Sequence, residues 1–357
     1  MVKKAKFLFS ISLIMLLMLT SVYFPFLSVL AENGEINNTN PQTSFSSISS
    51  NSSIIDYSKY LFENKGLKPA TSKIHISGGD YSSEQNSSVE KISSHEGKTN
   101  VLRWDSQKGN VTYDFSVESD GFYSIYMTYL PIECRGNDIR LGLKIDGEYI
   151  FDGMKEIVLP RLWTNDGDVR VDEKGDELTP EQIELFSYTE QAIKDKEGIA
   201  TEPYKFALRS GSHSITIEMK EEAFVLAEIS FVPPEEVLPY SEASKKYSSY
   251  GQYEGSPIVI EGEDADIKTS NSLIGKSENN INLTPSSAKN LLINYIGSTN
   301  WKTPGDTLIW KFYVDKPGLY KLCFKYKQSD YLNGISYRTL KIDGITPFAE
   351  AQAIPFD

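Results

Sequence analysis

The sequence predicts an all-β protein: two tandem antiparallel β-sandwiches, the second truncated, with one short helix inserted in the first. Short segments alternate apolar and polar residues at period two and are rich in β-branched and aromatic side chains, the mark of half-buried strands. Glycine-bearing turns separate them at short intervals, as in sandwiches. The whole pattern then occurs again, displaced by 343 − 146 = 197 residues between the Lys-Ile-Asp-Gly strings at Asp146 and Asp343.

The duplication needs no gap from 111 to 160, where twelve of fifty pairs are identical, against roughly three expected from average composition. Phe115 falls on Phe312, Val117 on Val314, Gly121 on Gly318, Tyr129 on Tyr326 and Phe151 on Phe348. Tyr123 falls on Tyr320, and the two tyrosines are expected to occupy the same place in each sheet. Residues 111–117 and 308–314 read as strands, each followed by a turn (Asp120-Gly121; Pro317-Gly318) and a second strand. Residues 141–145 and 338–342 read as third strands ending in Asp-Gly turns. Residues 205–209, 212–219 and 223–232 read as the closing strands of the first copy.

Each copy opens on a further strand, at 74–81 and 258–265. The insertion 164–202 is acidic, and a helix is expected in it: Thr179 can cap, Pro180 suits the first position and Gln182 completes a capping box. The insertion reads either as a solvated decoration or as a side wall of a binding face. The modules are expected at 70–233 and 257–357, with a linker at 234–256 that allows a short helix. Asp357 maps to Pro160, so about seventy residues of the first copy have no counterpart, and the chain is expected to be the N-terminal part of a longer product.

Lys3, Lys4 and Lys6 precede a long apolar stretch that ends at Val29-Leu30-Ala31, the pattern of a cleaved signal peptide over residues 1–31. The location implied is extracellular or on the cell surface. The stretch 32–69, rich in Ser and Asn, buries too little apolar surface to order itself and is expected to be a disordered spacer. The net charge of −13 becomes −13 − 3 = −16 without the signal, which argues against nucleic acid as a partner. Cys134 and Cys323 occupy unmatched positions of the repeat and read as free, packed thiols.

No metal-ligand spacing, nucleophile elbow or phosphate loop is present, so no enzyme is indicated. Sugar binding needs flat aromatic rings and hydroxyl-bonding side chains around them. Trp104, Trp163 and Trp301 read as loop residues that could supply the rings, with core or edge packing as the other reading of each. Asn137, Arg161, Asn333 and Arg338 are the polar candidates near them.

The Ile-Glu-Gly-Glu-Asp-Ala string at 260–265, the Gly-Leu-Tyr at 318–320 and the Gly-Ser-His-Ser-Ile at 211–215 resemble the jelly-roll, galactose-binding-like carbohydrate-binding modules of families 6 and 35. Pro347-Phe348-Ala349-Glu350-Ala351 and Pro160-Arg161-Leu162-Trp163 resemble tandem modules at the N-terminus of large extracellular solute-binding proteins of Gram-positive sugar ABC transporters. This resemblance implies non-catalytic binding of an oligo- or polysaccharide and, through a downstream domain, a membrane permease as partner. Accessory or spacer modules of a secreted glycoside hydrolase or wall protein are the alternative. It also implies a structural Ca²⁺ in the second module, held in part by Glu261 and Glu263, where the first copy has Ser77 and Gly79. Two solvated carboxylates are the other reading of those residues.

Overall fold

The computed structural model describes residues 54–105, 107–328 and 334–357. The expected signal segment, most of the expected spacer and Asn333 lie outside the described residues. Helix α1 (Tyr57–Glu63) precedes β1 (Ile74–Ser77), β2 (Ser83–Gln85), β3 (Val89–His95), β4 (Lys98–Trp104), β5 (Asn110–Val117), β6 (Gly121–Pro131), β7 (Ile139–Ile145) and β8 (Ile157–Leu159). The insertion holds β9 (Trp163–Asn165), β10 (Arg170–Val171), β11 (Glu177–Leu178), β12 (Gln182–Glu184) and β13 (Thr189–Ala192). Strands β14 (Lys205–Leu208), β15 (Gly211–Glu221) and β16 (Phe224–Val232) close the first copy.

These strands make a jelly-roll sandwich. One sheet runs β13-β6-β16-β4-β3, with β1 on β16 and β14 on β6; the other runs β2-β5-β15-β7-β8. Alternation aims one side of each strand inward. Val111, Tyr113, Phe115 and Val117 of β5 and Ile215 and Ile217 of β15 share a core with Tyr123, Ile125, Met127 and Tyr129 of β6 and Ile229 and Phe231 of β16. Each such buried side chain contributes about 1.5–3 kcal/mol.

The expected helix in the insertion does not form. The Thr179 hydroxyl donates to Gly275 O instead of capping. Gln182 sits in β12, paired with β9. A local capping pattern has lost to strand pairing, which satisfies more backbone groups. The insertion is also more than a solvated decoration, because β9 pairs with a strand of the second copy.

The second copy holds α2 (Tyr240–Ala243), β17 (Ile267–Lys268), β18 (Gly275–Ser277), β19 (Ile293–Ile296), β20 (Leu308–Ile309), β21 (Ser336–Arg338) and β22 (Ile354–Phe356). Several of its parts repeat the first copy residue for residue. Ile267 pairs with Ile309 as Ser83 pairs with Thr112. Ser336 pairs with Phe356 as Ile139 pairs with Leu159. Asp146 and Gly147 have φ of 51° and 83°, and Asp343 and Gly344 have 51° and 80°. Two successive positive φ angles make a tight type I′-like turn, which favours Asp-Gly.

The likeness extends into the segments read as spacer and linker: α1 orders the described end of the expected spacer, and the short helix allowed for in the linker is α2. Tyr57 of α1 packs on Phe151 with ring centroids 4.8 Å apart. Tyr240 of α2 packs on Phe348, the counterpart of Phe151, at 5.1 Å. Asp152 N donates to Ile55 O, and Ala349 N to Leu238 O. Pro69 and Phe122 form a parallel bridge, as do Gln252 and Leu319. Each module therefore begins with a strap that crosses it. The strap is why Gly121 is a glycine: a Cβ there would lie 2.7 Å from Ala70 Cα.

Elsewhere the copies differ. Residues 258–261 and 310–318 hold no strand, and Val259 and Tyr313 are exposed. Tyr123 is fully buried in β6, whereas Tyr320 stacks on Tyr253 at 4.4 Å outside any strand. The two tyrosines do not share a place. Cys134 and Cys323 are free but exposed, not packed.

In the first copy the repeated Asp-Gly turn is tied down by His213. Its Nδ1 lies 2.7 Å from Asp146 Oδ2 and its Nε2 lies 2.8 Å from Arg209 O. Both partners accept, so both ring nitrogens donate and the ring is an imidazolium. Burial alone would lower its pKa, but the bonds to Asp146 and Arg209 outweigh burial and raise it above the ordinary 6.5. A pKa raised in the folded state gives stability that is complete below the unfolded value and is lost as pH rises through the folded value. Wild type should therefore exceed His213→Gln in stability by more at pH 5.5 than at pH 8 in urea denaturation. An equal margin at both pH values would contradict the assignment.

Candidate functional site

Six of the seven candidate ligand-binding residues are described, and five of them gather where the two copies meet. Trp104 is the exception. It ends β4 rather than a loop, is fully buried and packs near Phe224. It is a core side chain and presents no ring to solvent.

Arg161 is also corrected. It is fully buried. Its Nε donates to Asn137 O at 2.6 Å, Nη1 and Nη2 to Ile132 O at 3.2 Å, and Nη2 to Glu222 Oε2 at 2.8 Å. Nη1 also donates to Glu184. The guanidinium thus ties the loop after β6, the insertion strand β12 and the turn between β15 and β16 to one point. Every donor direction is spent inside the protein, so Arg161 positions the site and does not touch a ligand.

What Arg161 positions is partly open to solvent: Asn137 is exposed, and Asp138, Trp163 and Glu184 are half-buried. The loop it holds carries Asn137, whose Nδ2 donates to Glu221 Oε1 at 2.9 Å, and Asp138, whose Oδ1 accepts from the Arg161 amide. Glu184 lies directly across from Trp163, which is half-buried in β9 and faces Lys268 of β17 on its other side. These pairings make a four-stranded sheet, β12-β9-β17-β20, that belongs to both copies. Lys268 is fully buried and donates to Asn165 Oδ1 at 2.5 Å and Gln182 Oε1 at 2.9 Å. Burial lowers its pKa.

From the second copy come Trp301, Asp306 and Arg338. Trp301 packs on the small cluster of Ala265, Leu273 and Leu308, and its Nε1 donates to Asp306 O at 3.0 Å. The Arg338 guanidinium lies over the Trp301 ring, 4.5 Å from its centroid, and donates to Trp301 O. Burial and the nearby charge of Asp138 push the Asp306 carboxyl up to about 6, against the pull of Arg338. Asp138 is likewise raised, first by burial. Asp306 of the second copy thus feels the charge of Asp138 in the first copy's loop, and also that of Arg338. The repeat alone could not show this. At its offset Asn137 falls on Gly334, Asp138 on Ile335, Asp306 on Gly109 and Arg338 on Leu141, and an alignment of copies says nothing of contacts between them. Asp138 and Asp306 were missed, and their spacing carries no signal.

The expected metal residues lie beside this junction. Glu261, Glu263 and Asp264 line a cavity of about 190 Å³ with Asn165 and Glu177 of the insertion. Glu263 is buried, and its carboxylate meets its own backbone N–H. Burial first, then the charges of Glu261, Asp264 and Glu177, raise it to about 7. Among the described residues no three His, Cys, Asp or Glu side chains stand close enough together to hold a metal ion.

Ser230, His75 and Glu228 meet on β1 and β16, but Ser230 Oγ and Glu228 Oε1 both face Nδ1 of His75, at 3.2 and 2.7 Å. A relay needs one partner on each ring nitrogen, so this group is a surface hydrogen-bond cluster.

No protein-family model and no curated protein matches the chain. Solved structures do match, at low identity. A family 35 carbohydrate-binding module from Clostridium thermocellum is 10% identical, with a TM-score of 0.27, over 45% of this chain and 98% of that one. The C-terminal family 6 module of a laminarinase from Zobellia galactanivorans is 12% identical, with a TM-score of 0.28, over 45% and 99%. A β-(1,4)-mannanase with a family 35 module from Podospora anserina is 13% identical, with a TM-score of 0.29, over 50% of this chain and 35% of that one. The matched part thus spans about a third of the mannanase's length.

Removing the Arg161 head would leave the buried Glu222 carboxylate without its counter-charge, held only by the Arg135 amide on Oε2 at 3.1 Å. Breaking such a pair costs about 3–5 kcal/mol, a large part of a domain's stability. Arg161→Ala should lose that much in urea denaturation, and Arg161→Lys should not rescue it, because one ammonium cannot reach four acceptors. A loss below about 1 kcal/mol would show that Arg161 is not the organising contact.

Proposed function

We propose that the chain binds an oligo- or polysaccharide, without cleaving it, where Trp301, Asp306 and Arg338 of the second copy meet Asn137 and Asp138 of the first. The carrying observation is the half-buried Trp301–Arg338 pair beside Asp306. Sugar hydroxyls donate and accept at once, so a sugar site needs both kinds of partner at an apolar edge. Arg338 donates through a planar fork that Trp301 holds in place. Asp306, Asp138 and the Asn137 carboxamide supply acceptors. The half-buried Trp163, in the shared sheet and across from Glu184, adds indole surface next to the residue that Arg161 holds.

The finer reading rests on the sequence resemblance. An exported chain of this kind would present these modules outside the cell as the N-terminal part of a sugar-transporter solute-binding protein, handing ligand on to a membrane permease. No helix among the described residues is long and apolar enough to cross a membrane. Accessory modules of a secreted glycoside hydrolase or wall protein are the second reading, and share the same site.

Affinity electrophoresis against soluble β-glucan, mannan, xylan and α-glucan tests the proposal. At least one should retard the wild-type chain, and Arg338→Ala and Asp306→Asn should each weaken that retardation by about tenfold or more, the cost of a well-placed polar contact. Asp306→Asn keeps the side chain's shape, which separates lost binding from lost folding. Wild-type behaviour of both variants, or no retardation by any polymer, would overturn the site.

We also propose that Glu261 and Glu263 contribute oxygens to a Ca²⁺ in the second module. The support is a buried Glu263 carboxylate whose nearest partner is its own amide, next to other carboxylates. Hard oxygen donors suit this ion, whose remaining ligands would be backbone carbonyls or water. Calcium should raise the thermal unfolding temperature of the wild type and leave Glu263→Gln unmoved. An equal shift in both, or none in the wild type, would refute it.

A further inference from the structure

In the first copy β6 is a central strand. Strand β16 lies along one side of it and β13 and β14 along the other. Its inward residues Tyr123, Ile125, Met127 and Tyr129 are fully buried. The counterpart at the 197-residue offset is 318–328, which carries the same alternation in Tyr320, Leu322, Phe324 and Tyr326. Around it the frame is in place: the strap bridge Gln252–Leu319 and the β21–β22 hairpin both match the first copy. Yet no strand forms over 320–328. Phe324 is 45% and Tyr326 49% exposed, and Phe312, counterpart of the buried Phe115, is 45% exposed. A strand needs neighbours to bond its backbone groups, and among the described residues no strand pairs with 320–328; it is tethered through side chains, Lys325 on Thr284 and Lys327 on Glu278.

We propose that 318–328 is an acceptor for an added antiparallel β-strand of mainly apolar residues with a carboxylate near its middle, as Glu228 stands in Phe224–Val232 of the first copy. Charge supports that choice of occupant. In the first copy Thr128 of β6 stands between Glu190 of β13 and Glu228 of β16. The counterpart of Thr128 is Lys325, with Lys321 and Lys327 on the same alternating side. A strand laid down in the first copy's register sets a carboxylate directly opposite Lys325, a favourable cross-strand pair. Two copies of 318–328 laid edge to edge would instead oppose lysines, which disfavours self-pairing.

The test adds to the full chain a synthetic peptide with the sequence of 221–232, and reads amide hydrogen exchange. The peptide should slow exchange across 318–328 by at least tenfold. A control peptide with Ser at the positions of Phe224, Leu226, Ile229 and Phe231 should not. Lys325→Glu should weaken binding about fivefold, as like charges face each other. No slowing, equal slowing by the control, or protection that instead follows self-association in sedimentation or addition of a polysaccharide alone would each overturn the proposal.

Discussion

The buried guanidinium of Arg161 is the contact on which the arrangement of this protein hangs. Its head reaches Ile132 O, Asn137 O, Glu184 and Glu222, so one side chain gathers parts of three separate segments. The loop that carries Asn137 and Asp138 has its shape from this contact. So does the placement of β12, and through β12 the pairing of β9 with the second copy. Glu222 carries a positive φ of 69°, a conformation that costs a non-glycine residue energy. The bond from Arg161 offsets it. The desolvation of three charged groups brings little net stability; what it brings is a single outcome for loops that otherwise have many.

Much of the first copy was legible in its sequence because burial imposes period two. Residues 111–117, 205–209, 212–219 and 223–232 were each read as strands, and each is one, within a residue or two. The Asp-Gly turns were legible because few residue pairs tolerate two positive φ angles. The helix expected at Thr179 was misread because a capping pattern is a local signal, and the carboxamide of Gln182 is used instead to bond Asn165 and the Pro180 carbonyl. Trp104 was misread because a tryptophan near a strand end carries no mark of which way it points.

The straps were missed for a different reason. Tyr57 and Tyr240 lie 183 residues apart, not 197, and beyond the shared Tyr-Ser the two straps have little in common. Their likeness is one of contact: each tyrosine lies on a phenylalanine and each chain bridges the start of the same strand. The candidate site was half legible. Asn137, Trp301 and Arg338 were chosen by residue type, which says nothing of how parts of two copies are brought together. Only the pairing of the insertion with β17 shows that.

The straps also say what was copied. A gene fragment that began at the first strand, Ile74, would have left Phe151 uncovered and its duplicate without a clasp on Phe348. Since both copies carry the clasp, the repeated unit takes in the helix ahead of the sandwich. The heritable unit is therefore a clasped sandwich, and any shuffling of these modules between proteins that kept the unit whole would carry its own closure with it.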